Sequence, residues 1–289
     1  MNNKTLINFI SEQLKAVRNI KAIVLGGSYA IKVQRIDSDI DIGLYYKENK
    51  PLDISDLRKL ANKINNYKNP AITDPGGWGR WVNGGAWLNI KNQQVDIIYR
   101  NLDFVSKIID ECLQGEKQSD YYQQPAYGFH SYIYCAEIKF CEVLYDPYNY
   151  IKDLKAKVEQ FPLPLKEKII NTFLWDAEFT LRYAKKCAKR GEIYIVSGCL
   201  TRVANDLVQA LYAINEEYFI GDKRSYKDIT KFKKSPQGFL QKIEGILSSI
   251  GDNEYLLMKS ILRMEEIFNE IIILAGKLYK AGELYKSKL

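Results

Sequence analysis

The sequence has little histidine, and its cysteines form no familiar pattern. Only one of its 289 residues is histidine and five are cysteine, with no Cys-x-x-Cys pair. A metal site built from several histidines is therefore excluded, and the absence of a secreted disulfide framework predicts reduced thiols in a cytoplasm. No stretch approaches the ~20 apolar residues that span a membrane. The N-terminal residues predict a helix rather than a signal-peptide core.

What is present describes an ordinary globular chain, long enough for two domains. Hydrophobic residues make up 46% of the sequence and charged residues 27%, which is typical of such chains. The net charge of +7 is a mild excess. It suits a polyphosphate ligand, whereas the basic tract typical of nucleic-acid-binding proteins is missing.

The most informative stretch joins two predicted strands. The apolar run at residues 22–25 predicts a buried strand, and residues 40–46 predict a second one. Residues two apart on a strand point to the same face, so Asp39 and Asp41 stand side by side. Two carboxylates that close repel each other unless a cation lies between them, and oxygen ligands suit Mg²⁺. The alternative is a pair of solvent-facing aspartates after a turn, although aspartate is disfavoured in strands.

A glycine turn separates the two strands. Gly26 and Gly27 let the backbone turn tightly and approach a ligand closely. We expect Ser28 to cap a short following helix, so that backbone N–H groups there face an anion. The turn and the aspartates together predict a site for a phosphate and a metal ion.

The order Gly26-Gly27-Ser28, a spacer of ten residues and Asp39-Ile40-Asp41 resembles the signature of the polymerase-beta-like nucleotidyltransferase superfamily. In that family the turn grips a nucleoside triphosphate, the aspartate pair holds magnesium, and a third carboxylate comes from a later strand. Asp96 is the only acidic residue of the alternating run 94–99, and we assign it that role. The resemblance implies catalytic and metal-binding roles for Asp39, Asp41 and Asp96, and nucleotide-binding roles for Gly27, Ser28, Arg35 and Ser38.

A glycine- and tryptophan-rich segment precedes the Asp96 strand. Residues 74–87 hold five glycines and three tryptophans. One interpretation is a loop that lines the site, with Trp78 or Trp81 stacking on a ring and Arg80 near phosphate. The other is a turn whose tryptophans pack in the local core. We expect Trp87 to be a strand residue packed against a helix, in a hairpin over residues 86–100.

Three further residues are candidates around the site. Arg100 lies on the same strand face as Asp96 and can steady a carboxylate or phosphate, or form a surface salt bridge. A helix is predicted over 131–144, and its Glu137 is a candidate general base because apolar and tyrosine neighbours would raise its pKa. His130, at the start of that helix, is more typical of a structural residue.

From residue 165 onwards the chain predicts a bundle of four or five antiparallel helices. The buried faces of its two longest helices are predicted to be Ile169, Phe173, Ala177, Leu181 and Ala184, and Val196, Leu200, Val203, Leu207, Leu211 and Ile214. This bundle resembles the helical domain of the kanamycin nucleotidyltransferases and also that of HEPN proteins. Some HEPN domains are ribonucleases with an arginine followed closely by histidine. Arg202 has no such histidine after it, which argues against a ribonuclease.

A basic segment lies inside the predicted bundle. Residues 223–234 hold six basic side chains. In similar two-domain enzymes a lysine of the helical domain reaches the triphosphate, so Lys223 is the first candidate for that role. The alternative is a solvated basic loop.

Together these features predict an α/β (α+β) nucleotidyltransferase domain with a mixed sheet at residues 1–145, and an all-α helical bundle at 146–289. The tryptophan loop and the strand after it resemble those of aminoglycoside and lincosamide nucleotidyltransferases. The resemblance implies Mg²⁺-dependent transfer of a nucleoside monophosphate, with ATP the favoured donor, to a small-molecule hydroxyl. Alternatives are transfer to a protein or tRNA, and a non-catalytic nucleotide-binding or antitoxin-like module.

Overall fold

The computed structural model describes residues 3–35, 37–124, 126–279 and 282. These form two compact units. The first takes the described residues of Met1–Glu111, Ser119–Gln123 and Phe129–Gln160; the second takes those of Cys112–Gln118, Gln124–Gly128 and Phe161–Leu289.

A six-stranded mixed sheet is the centre of the first unit. Its strand order is β3-β4-β5-β2-β1-β8, and β2 and β5 are parallel while their other neighbours are antiparallel. Its strands are β1 (Ile20–Leu25), β2 (Ile40–Tyr46), β3 (Ala71–Ile72), β4 (Gly85–Ile90), β5 (Gln93–Asn101) and β8 (Glu142–Tyr145). A small second sheet pairs β6 (Ser119–Asp120) with β7 (Phe129–His130).

The helices of this part of the chain are short. They are α1 (Asn3–Leu14), α2 (Gly27–Ala30), α3 (Ile54–Ile64), α4 (Gly79–Val82), α5 (Leu102–Leu113), α6 (Ile133–Phe140) and α7 (Tyr150–Lys157). One face of the sheet is apolar and forms a core with α1 and α3, which includes Ile10 and Leu57 at 0% exposure. The isoleucines between and after the two aspartates, Ile40 and Ile42, lie in this core. The opposite face therefore carries Asp41.

The predicted helix over residues 131–144 is wrong at its end. Helix α6 stops at Phe140, where Cys141 has an extended backbone (φ −61°, ψ 149°). Residues 142–145 then pair with β1 as an antiparallel strand. The physical reason is the free edge of β1, whose backbone groups gain hydrogen bonds from this pairing.

The first unit extends past the predicted domain boundary at residue 145. Residues 146–160 group with it, because α7 packs against α6 and β1. Within the second unit the elements are α8 (Leu163–Ala188), α9 (Ile193–Ile214), α10 (Asp222–Ile229), α11 (Phe239–Leu247) and α12 (Glu254–Ala275), followed by a 3₁₀ turn at Gly276–Leu278. The fold prediction of a mixed-sheet domain followed by a helical region is thus confirmed.

Helices α8, α9 and α12 pack together as the core of the second unit. Every residue predicted for the buried faces of α8 and α9 is buried. Polar groups also lie inside. Asp176 accepts hydrogen bonds from Arg202 at 2.7–2.9 Å. Asp206 is 1% exposed, and neither of its carboxylate oxygens has a hydrogen-bond partner among the described residues.

Candidate active site

Strand register brings two of the predicted carboxylates together. In the parallel pairing of β2 and β5, Asp41 is the register partner of Asp96. Adjacent strands lie about 4.8 Å apart, and register partners on parallel strands point to the same face. Both side chains are half-buried on the face opposite the core. Fifty-odd residues of sequence separate them, and only the sheet makes them neighbours.

Asp39 lies just before the first residue of β2 and is exposed. Alternation places it on the same face as Asp41. Across the described part of the chain, no three acidic, histidine or cysteine side chains gather closely enough to form a metal cage. The structure therefore brings Asp41 and Asp96 together and leaves Asp39 at the margin of the pair.

The donor set of this pair fits magnesium. Mg²⁺ is typically held by one or two carboxylates together with water and substrate phosphates rather than by an all-protein cage. Two half-buried carboxylates on neighbouring strands supply that number of oxygen ligands, and a cation would relieve their mutual repulsion. Asp41 and Asp96, with Asp39 beside them, are the residues that would hold the ion.

The glycine turn lies directly against Asp41. The backbone N–H of Gly26 donates to the carbonyl of Asp41 at 2.8 Å. Gly27 has φ +56°, and a Cβ at this position would lie 1.7 Å from Oδ2 of Asp41. Only glycine combines this backbone conformation with such a close approach. The turn and the carboxylate therefore form one packed unit.

The cap of α2 differs from the prediction. Gly26, not Ser28, is the N-cap residue, and it has no side-chain cap bond. Ser28 lies inside the first turn and is half-buried, because the helix begins two residues earlier than expected. The prediction that Ser28 caps α2 is therefore wrong. The prediction that Ser28 binds the nucleotide remains untested.

Arg35 and Ser38 lie in the loop between α2 and β2. The backbone N–H of Arg35 donates to Oγ of Ser38 at 2.8 Å, and the Arg35 guanidinium pairs with Asp37 at 3.3 Å. Both members of that ion pair are well exposed. The Ser38 carbonyl accepts a bond from the Gln93 side chain at 2.8 Å, which ties the loop to β5. This loop is thus anchored beside the aspartates with the arginine accessible.

The three tryptophans of the glycine-rich segment have different surroundings. Trp81 is 3% exposed and packs against Phe104 and Phe129, so it belongs to a local aromatic core. Trp87 is 54% exposed, and its ring contacts Trp78 with centroids 4.5 Å apart. The expectation that Trp87 packs against a helix is wrong.

Trp87 is the neighbour of Asp96 on the adjacent strand, a pairing that was not predicted from the sequence. Their pairing follows from the antiparallel β4–β5 hairpin. The hairpin turns at Lys91 and Asn92, both with positive φ, a pattern typical of two-residue turns. Counting outwards from that turn pairs residue 87 with residue 96. The position of the hairpin turn would therefore have been enough to predict that Trp87 pairs with Asp96.

Arg100 and Glu137 form a partly buried ion pair. Arg100 donates two hydrogen bonds to the Glu137 carboxylate, at 2.9 and 2.7 Å, and one to the Val82 carbonyl at 2.9 Å. Burial lowers the pKa of the Arg100 guanidinium, but the charge and hydrogen bonds of Glu137 outweigh it, so that pKa is raised overall. Arg100 lies four residues past Asp96, roughly 13 Å along the strand. This geometry favours a structural role for Glu137, and its role as general base stays an untested prediction.

Two other candidates have clear positions. His130 is 1% exposed, lies in β7 rather than at a helix start, and has Nδ1 2.9 Å from Oγ of Ser119. Burial and this contact are typical of a structural histidine. Lys223 belongs to the second unit, in the first turn of α10, and is exposed. Its contribution to phosphate binding remains a prediction.

Among the described helices, none combines the length and the apolar character needed to cross a bilayer.

Comparisons with known proteins show that the segment with the glycine turn and the first two aspartates is similar to a known family. Residues 8–73 match the polymerase beta nucleotidyltransferase family, a segment that runs from α1 to β3. Residues 134–223 match a domain of unknown function, DUF4037. No curated protein matches the chain. Asp96 lies beyond the first matched segment, so its assignment depends on the strand register.

A nucleotidyltransferase-like protein from Exiguobacterium sibiricum 255-15 is similar in structure, with a TM-score of 0.49 and 8% sequence identity. The alignment covers 96% of this chain and 78% of that one. Residues 8–73 are therefore similar to the polymerase beta nucleotidyltransferase family, and this segment includes the glycine turn with Asp39 and Asp41.

Proposed function

We propose that this protein transfers a nucleoside monophosphate from ATP to a hydroxyl of a small molecule such as an aminoglycoside or lincosamide antibiotic, and releases pyrophosphate. The observation that carries the proposal is the register pairing of Asp41 with Asp96, next to the Gly27 turn that lies against Asp41. A phosphate-binding turn and paired carboxylates on one sheet face are what phosphoryl-group chemistry requires.

The glycine turn holds the polyphosphate in this proposal. The first N–H groups of a helix have no intrahelical acceptor, so those at the start of α2 are available to phosphate oxygens. Gly27 lets the ligand approach the backbone, since it presents no side chain. Ser28 adds a hydroxyl, and the exposed Arg35 adds positive charge.

The carboxylates organise the reacting centre. Asp41 and Asp96, with Asp39, would hold magnesium, which when bound offsets the negative charge of the phosphates and of the departing pyrophosphate. The acceptor oxygen forms a bond to the α-phosphorus as the bond from that phosphorus to the bridging oxygen of pyrophosphate breaks. Asp96, nearer to the acceptor than Asp41, receives the hydroxyl proton.

Thermal unfolding with each of the four nucleoside triphosphates, with and without Mg²⁺, tests the binding half of this proposal. A ligand present at about 100 times its Kd adds roughly 2.7 kcal/mol to the free energy of unfolding. We expect a magnesium-dependent rise in midpoint with ATP. Asp41→Asn and Asp96→Asn should abolish it, and Asp37→Asn, an exposed neighbour, should retain it.

Pyrophosphate release with a panel of hydroxyl acceptors tests the chemical half. Turnover that depends on a small hydroxyl compound and is lost in Asp96→Asn supports the proposal. Labelling of a protein or tRNA in lysate, with no small acceptor used, would instead assign a macromolecular acceptor. Full activity in Asp41→Asn would contradict the site itself.

A further inference from the structure

A flat apolar surface adjoins Asp96 on the reacting face of the sheet. Trp87 is the register partner of Asp96, so both side chains project from the same face about one strand spacing apart. At 54% exposure, the indole leaves a large apolar area facing solvent beside a carboxylate. Burying such an area against a ligand is favourable, and aromatic faces are common sites of ring stacking.

The second tryptophan stacks against one side of the Trp87 ring and is itself held in place. Trp78 contacts Trp87 with ring centroids 4.5 Å apart and planes inclined by 30°. It lies over Gly85, where a Cβ would come within 2.6 Å of the Trp78 ring. The backbone N–H of Trp78 donates to the Asn83 carbonyl at 3.1 Å. Glycine at residue 85 is therefore what lets the two indoles meet.

The segment that carries Trp78 is fixed by further hydrogen bonds. Asn83 accepts from the Gly76 N–H at 2.8 Å and donates to the Tyr46 hydroxyl at 2.9 Å. A surface held in this way is pre-organised, so a ligand does not have to order it on binding.

The order of strands decides which substrate meets this surface. Crossing the sheet from β1 to β4, one passes the Gly27 turn, Asp41, Asp96 and Trp87. The turn and Trp87 are thus separated by roughly 14 Å, three strand spacings. If the pyrophosphate leaves towards the turn, in-line displacement requires the attacking oxygen to come from the opposite side. That side is the one with Trp87.

We propose that Trp78 and Trp87 form a stacking platform for the acceptor, and that the acceptor carries its reactive hydroxyl on or beside a ring with an apolar face. This inference rests on the proposed nucleotidyl transfer and goes beyond it, since it assigns specificity for ring-bearing acceptors over open-chain alcohols. Sugar and cyclitol rings, through their C–H face, and aromatic rings share the required apolar face. The nucleotide, held on the other side of the carboxylates, does not depend on Trp87.

Acceptor kinetics at saturating Mg²⁺ and ATP test the platform. The panel contains aminocyclitol glycosides, ribonucleosides and phenols as ring compounds, and glycerol and serine peptides as open-chain compounds. We expect turnover with a ring compound, and in Trp87→Leu a KM for that acceptor raised about tenfold or more, the usual effect of losing one stacked ring. Trp87→Phe should keep most of the affinity, and Tyr148→Leu, which removes another exposed aromatic, should change nothing.

The nucleotide-induced rise in unfolding midpoint separates the two levels of inference. If the wild-type protein shows no rise in unfolding midpoint with nucleotide, the proposed function is contradicted. An unchanged rise in Trp87→Leu together with a raised acceptor KM supports the platform. The platform inference is overturned if Trp87→Leu weakens nucleotide binding or if open-chain acceptors are preferred. It is also overturned if the nucleotide shift persists but no ring compound is turned over or quenches indole fluorescence.

Discussion

At the scale of single residues, Gly27 is a position where the structure leaves no room for a side chain. An alanine there would combine a positive φ with a Cβ 1.7 Å from Oδ2 of Asp41, so the carboxylate must move. We expect Gly27→Ala to lose about 1 kcal/mol or more of stability and to abolish the magnesium-dependent nucleotide shift. Gly191→Ala is the matched control, because Gly191 has φ +68° but no atom within 4 Å of the added Cβ. Equal nucleotide binding by both variants would contradict the proposed role of the turn.

The surroundings of Asp206 disfavour the ionised form of its carboxyl group. Burial, and then the negative charge of Asp176, raise the pKa of its carboxyl well above the usual value. The unfolded chain therefore loses this proton at lower pH than the native protein does, and the free energy of unfolding falls as pH rises from about 4 towards the native pKa. Asp206→Asn removes this fall. In urea titrations, the free energy of unfolding of the variant relative to that of wild type should rise as the pH rises above about 4.

The exposed Asp252 is the control for this pH dependence. Asp252→Asn, also in the second unit, should follow the wild-type pH profile. A constant difference between Asp206→Asn and wild type across this pH range would show that Asp206 is already ionised in the native protein.

At the scale of elements, the Arg100–Glu137 pair joins strand β5 to helix α6. Removing one member of a buried pair leaves an uncompensated charge, which costs roughly 3–5 kcal/mol. Because Glu137 is 28% exposed, we expect the lower end, about 3 kcal/mol, for Arg100→Met. The double variant Arg100→Met, Glu137→Met should recover most of this loss. Chemical denaturation of both variants measures it.

The same pair decides whether Glu137 acts in catalysis. The hydrogen bonds from Arg100 occupy its carboxylate, so Glu137→Gln should lower stability while leaving turnover within a few-fold of wild type. A large loss of kcat with unchanged nucleotide binding and unchanged stability would restore Glu137 as the general base.

The sequence predicts an element well when the residues that determine it are close together in the chain, and poorly when they are far apart. Alternation in residues 40–44 and the helical stripes of α8 and α9 are local patterns, and each appears where expected. The pairing of Asp41 with Asp96 and the docking of Glu137 on Arg100 depend on packing between distant segments. Strand β8 is the clearest miss, because its strand state depends on pairing with the distant β1, and a helix prediction from local sequence does not include that pairing.

At the scale of the whole molecule, each of the two units has its own buried core. Each can therefore unfold as a cooperative block, and calorimetry should resolve two transitions. Magnesium and ATP should raise the transition of the first unit, which holds the glycine turn and the aspartates.

The outer strands of the six-stranded sheet have a consequence for how the protein behaves when concentrated. Strand β3 has only two residues and β8 four, and β8 is followed within two residues by Pro147, which has no N–H to donate. Long, flat outer strands offer a second chain a row of unpaired backbone groups, and they start cross-β aggregates in that way. This sheet presents almost no such row on either side, so its strands offer little backbone for intermolecular β-pairing.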